Sequence, residues 1–303
     1  MDVDEVRSLY LNSMEEFLKG SECPPFVKKS FEYSAKKWGS LHSSMSLYVI
    51  GSLERAKGIK PQHISFLKRT IPIMESVVNA LDDTIDESLE KEDRFMVIVT
   101  IAFGFLSLFS KVYDFQKRQP SDFVKVVVGK KLMVEKLLNK IVSDLLVLTQ
   151  IPGEEKRAEI KIMRAKTEKE EIKHAVSANG LRSRGIDVYS DFIGVLLGPN
   201  ENYFKSIRNV RFLELVRCDI EDISHDIRLN NPSPVSALYR KYYKKSPATF
   251  KNRVMAIANL GIENTLSSLE AMKDSGMGDA SCYLKDKAER EFKAIKTSLN
   301  KFK

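Results

Sequence analysis

Two short acidic clusters carry the residues most able to do chemistry. The first is Asp82-Asp83-Thr84-Ile85-Asp86. It closes an apolar stretch of helical period that runs through Ile73, Val77, Val78 and Leu81. On a helix Asp82 and Asp86 lie one turn apart on one face, with Asp83 beside them. Three carboxylates held that closely repel one another, and burying them unpaired costs several kcal/mol each. A divalent cation relieves both problems, and an all-oxygen ligand set favours Mg²⁺. The second cluster is Asp219-Ile220-Glu221-Asp222-Ile223-Ser224-His225-Asp226. Asp219, Asp222 and Asp226 extend the stripe of Phe212, Leu215 and Val216, so a face that begins apolar ends acidic. A surface helix sets its charges opposite its apolar face, not in line with it. Two such helices suggest one metal site between them. His225, one position from Asp226, points to another face and is not counted as a ligand.

The elements that must position these residues are helices. Nearly every long stretch shows helical period and none alternates as a strand does. Helices are expected over 3–19, within 26–57, from about His63 into the first motif, from Asp93 to about Gln116, and over 123–150. A charged helical stretch covers 154–181, and further helices cover 187–197, 203–229, 248–274 and 281–303. Pro152-Gly153 is expected to end the helix before it. The stretch from Phe95 to Ser110 carries no charge and reads as a buried central helix, not a membrane segment. No linker interrupts the chain, so residues 1–303 form a single all-α domain.

Composition bounds the rest. The chain has 303 residues, 43% of them hydrophobic and 30% charged, as in a soluble globular protein. The net charge of +8, from 49 basic and 41 acidic residues, favours anionic ligands without requiring nucleic acid. Basic and acidic residues alternate almost everywhere. A nucleic-acid reading therefore rests on Lys241, Lys244, Lys245 and the last helix, with Tyr239, Tyr242 and Tyr243 available to stack on a base. Cys23, Cys218 and Cys282 are odd in number and lack metal-ligand spacing, which fits a reducing cytoplasm. The acidic N-terminus shows no signal-peptide pattern.

At its two acidic motifs the chain resembles the class I isoprenoid synthases, the trans-prenyl diphosphate synthases and class I terpene synthases. Asp82-Asp83-x-x-Asp86 matches their first DDxxD motif. Lys166-Thr167 resembles the Lys-Thr pair of prenyl synthases, and Arg184-Gly185-Ile186-Asp187 resembles the Arg-x-x-Asp diphosphate sensor of terpene synthases. Lys36-Lys37-Trp38-Gly39 keeps the lysine but not the arginine of the stretch that binds isopentenyl diphosphate. Asp222, Asp226 and Asn230 follow the triplet spacing of terpene synthases, with different residue types.

The resemblance implies a single large helical bundle with a central cavity. It implies Mg²⁺ held by Asp82, Asp83 and Asp86 on one wall and by Asp222 and Asp226, with Asp219, on the other. Lys166, Arg184 and Arg240 become the diphosphate contacts. Phe103, Phe105 and Tyr189 become aromatic walls for a carbocation. The implied substrate is an allylic isoprenyl diphosphate, and the implied assembly includes a homodimer. Because the second-substrate pattern is degraded, cyclisation or elimination is favoured over chain elongation with isopentenyl diphosphate. A partner subunit of a prenyltransferase is a third reading.

Overall fold

The structure is a computed structural model that describes residues 3–19, 25–38, 44–85, 91–118, 150–197, 200–274 and 277–302, with scattered positions between 139 and 147. Every regular element among them is helical, and no strand occurs among the described residues. The chain divides into two compact units. One comprises residues 1–146 and 187–200, the other 147–186 and 201–303.

The first unit contains α1 (Val3–Leu18), α2 (Pro25–Trp38), α3 (Ser44–Leu53), α4 (Pro61–Ile85), α5 (Lys91–Arg118) and α8 (Asp187–Leu197). Its core gathers around α4, whose Leu67, Ile71, Ile73, Met74, Val77 and Ala80 are all buried. Gly104 on α5 lies directly over the Val77 side chain, where a Cβ would collide with it, so the two helices approach closely only because this position is glycine.

The long apolar helix differs from expectation. Phe95, Ile98, Leu106 and Tyr113 on α5 are 54, 59, 53 and 52% exposed, so the helix buries one face and leaves an apolar stripe open. Residues Asp93–Phe115 are long and apolar enough to cross a membrane, with a mean hydropathy of 2.1, yet 39% of that window is buried in the protein. Apolar composition on all sides is thus compatible with a half-buried helix. Lys111 near its end reaches Glu16 on α1 at 2.9 Å and ties it into this unit.

The second unit contains α6 (Ile151–Arg164), α7 (Glu168–Arg182), a 3-10 turn (Ser183–Ile186), α9 (Glu201–Glu221), α10 (Ile223–Leu229), α11 (Pro234–Tyr242), α12 (Pro247–Asp274) and α13 (Gly278–Leu299). Helices α9, α12 and α13 pack on one another. Their core includes Ile207, Val210, Leu213 and Val216 of α9, Phe250, Val254 and Ile257 of α12, and Leu284 and Ile295 of α13. Fully burying one such side chain is worth about 1.5–3 kcal/mol, so this trio fixes where the end of α9 stands.

Pro152 lies in the first turn of α6, where proline's missing N–H is no loss, and the helix expected over 123–150 falls largely outside the described residues. One boundary departs from the sequence expectation. The charged stretch 154–181 is two helices, broken at Ala165-Lys166-Thr167. Thr167 is the N-cap of α7 and forms a reciprocal capping box with Glu170.

Candidate functional site

The second acidic motif stands at the C-terminal end of α9. Its stripe follows the expected spacing as far as Asp219: Phe212, Leu215, Val216 and Asp219 are all buried, while Asp222 is exposed. The helix then breaks at Asp222, and α10 begins. Asp222 stays in register, because its N–H donates to the Cys218 carbonyl at 2.8 Å and its carbonyl accepts from Asp226 N–H at 2.9 Å. Asp219, Asp222 and Asp226 therefore remain neighbours across the break. Asn230 closes α10 in the left-handed conformation, with φ 57°, which asparagine tolerates.

The three carboxylates have different surroundings. Asp219 is 4% exposed, and both its oxygens accept from Arg182 Nη1, at 2.9 and 2.8 Å. Burial pushes its carboxyl above the ordinary range, while the Arg182 charge and hydrogen bond pull against that. Asp222 is exposed, Asp226 is half-buried, and neither forms an ion pair among the described residues. Burial raises the Asp226 carboxyl to about 6, and the charges of Asp219 and Asp222 add to the effect.

Arg182 was not among the residues the sequence pattern selected. It lies at the end of α7, on the same side as Glu171, Ala175, Ala178 and Asn179, which are buried. That i, i+4, i+7, i+8, i+11 run is the signal that could have found it. Its Nε also reaches Glu155 at 2.6 Å, and Nη1 reaches Asn179 at 3.1 Å.

Of the expected diphosphate contacts, Arg240 is the one that lies against the motif. It pairs with Glu159 of α6 and donates to the backbone carbonyls of Asp226 and Asn231, each at 3.4 Å. Lys166 is exposed in the break between α6 and α7, where Thr167 serves as a helix cap. Arg184 is exposed on the 3-10 turn, two residues beyond Arg182.

The first motif belongs to the other unit. The backbone of Asp82 and Asp83 forms the last turn of α4, where the Thr84 hydroxyl donates to the Ala80 carbonyl at 2.8 Å. The side chains of Asp82 and Asp83, and the whole of Asp86, lie outside the described residues. Among the residues expected to wall a cavity, Tyr189 is 2% exposed. Phe103 meets Phe31 edge-on at 6.3 Å, and Phe105 stacks with Phe109 at 6.1 Å.

The basic aromatic stretch is occupied by packing. Tyr239 stacks on Tyr243 at 4.3 Å, and both meet Phe250 and Phe302 edge-on. Lys241 Nζ donates to the Ile162 and Ala165 carbonyls at the C-terminal end of α6, both at 2.8 Å, and pairs with Glu171 at 2.7 Å. These side chains hold α6, α7, α11 and α12 together, so the rings are not a free stacking platform for bases.

The residues present can be tested for fit to Mg²⁺. Among the described residues no group of three His, Cys, Asp or Glu side chains is arranged to hold a metal ion. Asp219 is committed to Arg182, so its charge is already countered. Asp222 and Asp226 fit: they are oxygen donors, one helical turn apart, and without an ion-pair partner among the described residues. Asp82 and Asp83 lie in the last turn of α4 and Asp219 in that of α9, where the backbone dipole favours cations, whereas Asp222 is the N-cap of α10 and Asp226 lies in its first turn, where the dipole favours carboxylates. No protein-family model matches this chain, and comparisons with curated proteins and with solved structures find no match either.

Proposed function

We propose that this chain is a Mg²⁺-dependent enzyme of the class I isoprenoid synthase type, which ionises an allylic isoprenyl diphosphate and releases diphosphate. Cyclisation or elimination is favoured over chain elongation. The observation that carries this reading is the pair Asp222 and Asp226, an exposed and a half-buried carboxylate without ion-pair partners among the described residues, just beyond the end of a core helix and beside an Asp219 that Arg182 already pairs with. Asp219 continues the buried stripe of α9, which an acidic patch that served only solubility would not do. Asp82, Asp83 and Asp86 are assigned the same work from the sequence pattern.

The reaction breaks the bond between the allylic carbon and the diphosphate oxygen, and the electron pair leaves with diphosphate. When bound, Mg²⁺ supplies positive charge to those oxygens as they become anionic. Asp222 and Asp226 would hold the ion at the motif. Arg240, fixed by Glu159 and by the Asp226 carbonyl, sets a second positive charge on the same side. Arg182 pairs with Asp219 and holds it in place, and its charge partly offsets the rise that burial, Asp219 and Asp222 impose on Asp226. The allylic cation then loses a proton or closes a ring.

Diphosphate release from farnesyl and geranylgeranyl diphosphate, measured with Mg²⁺ and with or without isopentenyl diphosphate, tests the proposal. Release without the second substrate, accompanied by a hydrocarbon or alcohol, is expected. Asp226→Asn and Asp222→Asn should each lower the rate by about 100-fold or more, the scale of removing one electrostatic contact to a transition state. Release only with isopentenyl diphosphate would replace the reading by chain elongation. No release in either case would favour the partner-subunit reading.

A further inference from the structure

On the second unit a groove of about 300 Å³ runs between α6 and α7. It is lined by Glu154, Ala158 and Lys161 from α6, and by His174, Ser177, Ala178, Gly180 and Leu181 from α7, with Arg184 at the 3-10 turn. The spacing explains the groove. Glu154, Ala158 and Lys161 fall at i, i+4, i+7, and His174, Ser177, Ala178 and Leu181 at i, i+3, i+4, i+7, so each helix gives one continuous stripe. Ala158 and Ala178 are buried, and they and Gly180 are too small to fill the space between the helices.

Basic side chains outnumber acidic ones in the lining of this groove. Lys161, His174 and Arg184 bring three basic side chains, and Ser177 brings a hydroxyl. Glu154 is the one carboxylate among the lining residues, and it pairs with Arg157. Lys161 has no carboxylate partner among the described residues. His174 feels Glu170, one turn back on its own helix, whose carboxylate is engaged by the Lys166 and Thr167 backbone N–H groups. No aromatic ring lines the groove, so it offers nothing for a base to stack on. Arg182, on the same helix, is turned to Asp219 instead.

We propose that this groove binds a phosphate monoester, with the phosphoryl group among Lys161, His174, Ser177 and Arg184 and a small apolar body against Ala158, Ala178 and Leu181. Several charge-assisted donors lining one groove suit a phosphate dianion, arginine by its planar fork and lysine as a point charge. The volume lies at the lower end for small-molecule sites, which leaves room beyond a bare phosphate. This site is separate from the acidic motif and does not depend on Mg²⁺.

Titration calorimetry of the full chain in EDTA, with butyl phosphate, inorganic phosphate and butanol as probes, tests it. Butyl phosphate should saturate the protein, inorganic phosphate should bind more weakly, and butanol should not bind. Lys161→Gln and His174→Gln should each weaken butyl phosphate about tenfold, the scale of one lost charge-assisted hydrogen bond. Ser177→Glu should abolish binding, and Asp226→Asn should leave it unchanged. Far-UV circular dichroism and melting curves confirm that each variant folds, as substitutions at exposed or half-exposed positions should allow. No saturation of the unmodified chain, equal binding by the Lys161 and His174 variants, or loss of binding in Asp226→Asn would each overturn the proposal. Because Mg²⁺ is absent throughout, failure here leaves the diphosphate-release result standing, and the reverse.

Discussion

Glu171 and Asp226 are both carboxylates of the second unit, and they sit in opposite electrostatic settings. Glu171 is 2% exposed and is surrounded by Lys241, Tyr242 and Arg253. Burial alone would raise its pKa, but those three partners hold it below the usual carboxylate range. Asp226 is less buried, yet burial and two neighbouring aspartates raise it to about 6. A carboxylate with every oxygen answered by a donor is a fastener. One left among like charges is a candidate place for a cation. The difference shows that burial alone does not mark function; the balance of charge around the group does.

The largest effect expected from this contrast concerns Asp219, which resembles Glu171 in being paired although it belongs to the acidic motif. Arg182→Ala removes its partner and leaves a buried carboxylate alone, which should cost about 4 kcal/mol. Denaturant midpoints at unchanged slope would read that loss. Arg182→Lys restores a charge but not both short contacts, and should recover part of it. A loss below about 1 kcal/mol in Arg182→Ala would mean that the pair does not hold the motif in place.

Glu171→Ala should cost somewhat less, about 3 kcal/mol, the low end for breaking a buried pair. Lys241 and Arg253 are 17 and 16% exposed and can recover some water when the carboxylate is gone. The pH dependence has a definite sign. A carboxylate with a lowered folded pKa contributes stability that is present above its unfolded value and lost as pH falls through the folded value. The unmodified chain should therefore lose this contribution on acidification below its ordinary carboxylate range, and Glu171→Ala should lack that portion of the acid transition.

How much of this could be read from the chain depends on whether the signal is local. Helix content is local: the 3.6-residue period of α4, α9 and α12 rests on side chains within one element. The Thr167–Glu170 capping box is local too, and treating 154–181 as one charged stretch passed over it. The stripe from Phe212 to Asp219 was legible because the same face stays buried along one helix. The pairing of Arg182 with Asp219 was not, because the two lie 37 residues apart and no spacing rule links them. Nor was the use of Lys241, whose acceptors lie 79 and 76 residues back. The exposed stripe of α5 was misread because composition does not tell which face of an apolar helix finds neighbours.

Asp226→Asn should have the opposite sign to Glu171→Ala. A carboxyl whose folded pKa is raised binds its proton more tightly when folded, so its contribution falls as pH rises from the unfolded value near 4 to the folded value of about 6. Above pH 6 the charge opposes folding, and removing it should stabilise the protein. The group is about half exposed, so screening reduces the gain to about 1 kcal/mol. Below about pH 4, where both states are protonated, the gain should vanish. Mg²⁺ provides the second arm. At ten times its dissociation constant it should stabilise the unmodified chain by about 1.4 kcal/mol, and it should not stabilise Asp226→Asn. A variant that is less stable at neutral pH would show that Asp226 is answered after all, and the contrast with Glu171 would collapse.

The smallest effect comes from trimming the fastener without breaking it. Tyr242→Phe removes the hydroxyl that donates to Glu171 and leaves Lys241 and Arg253 on the same carboxylate. A hydrogen bond to a charged group contributes about 1.5–3 kcal/mol when it is the acceptor's main partner. Here two cations remain, so the loss should be only about 0.5 kcal/mol, below the range for one ordinary bond of that kind. The double variant with Lys241→Met, whose Nζ reaches the same Oε1 at 2.7 Å, decides whether the partners are redundant. If Glu171 is over-supplied, the two losses together should exceed their sum, because the second removal first leaves an oxygen bare. If the losses simply add, each donor holds its own share, and Glu171 is balanced one for one instead of held in reserve.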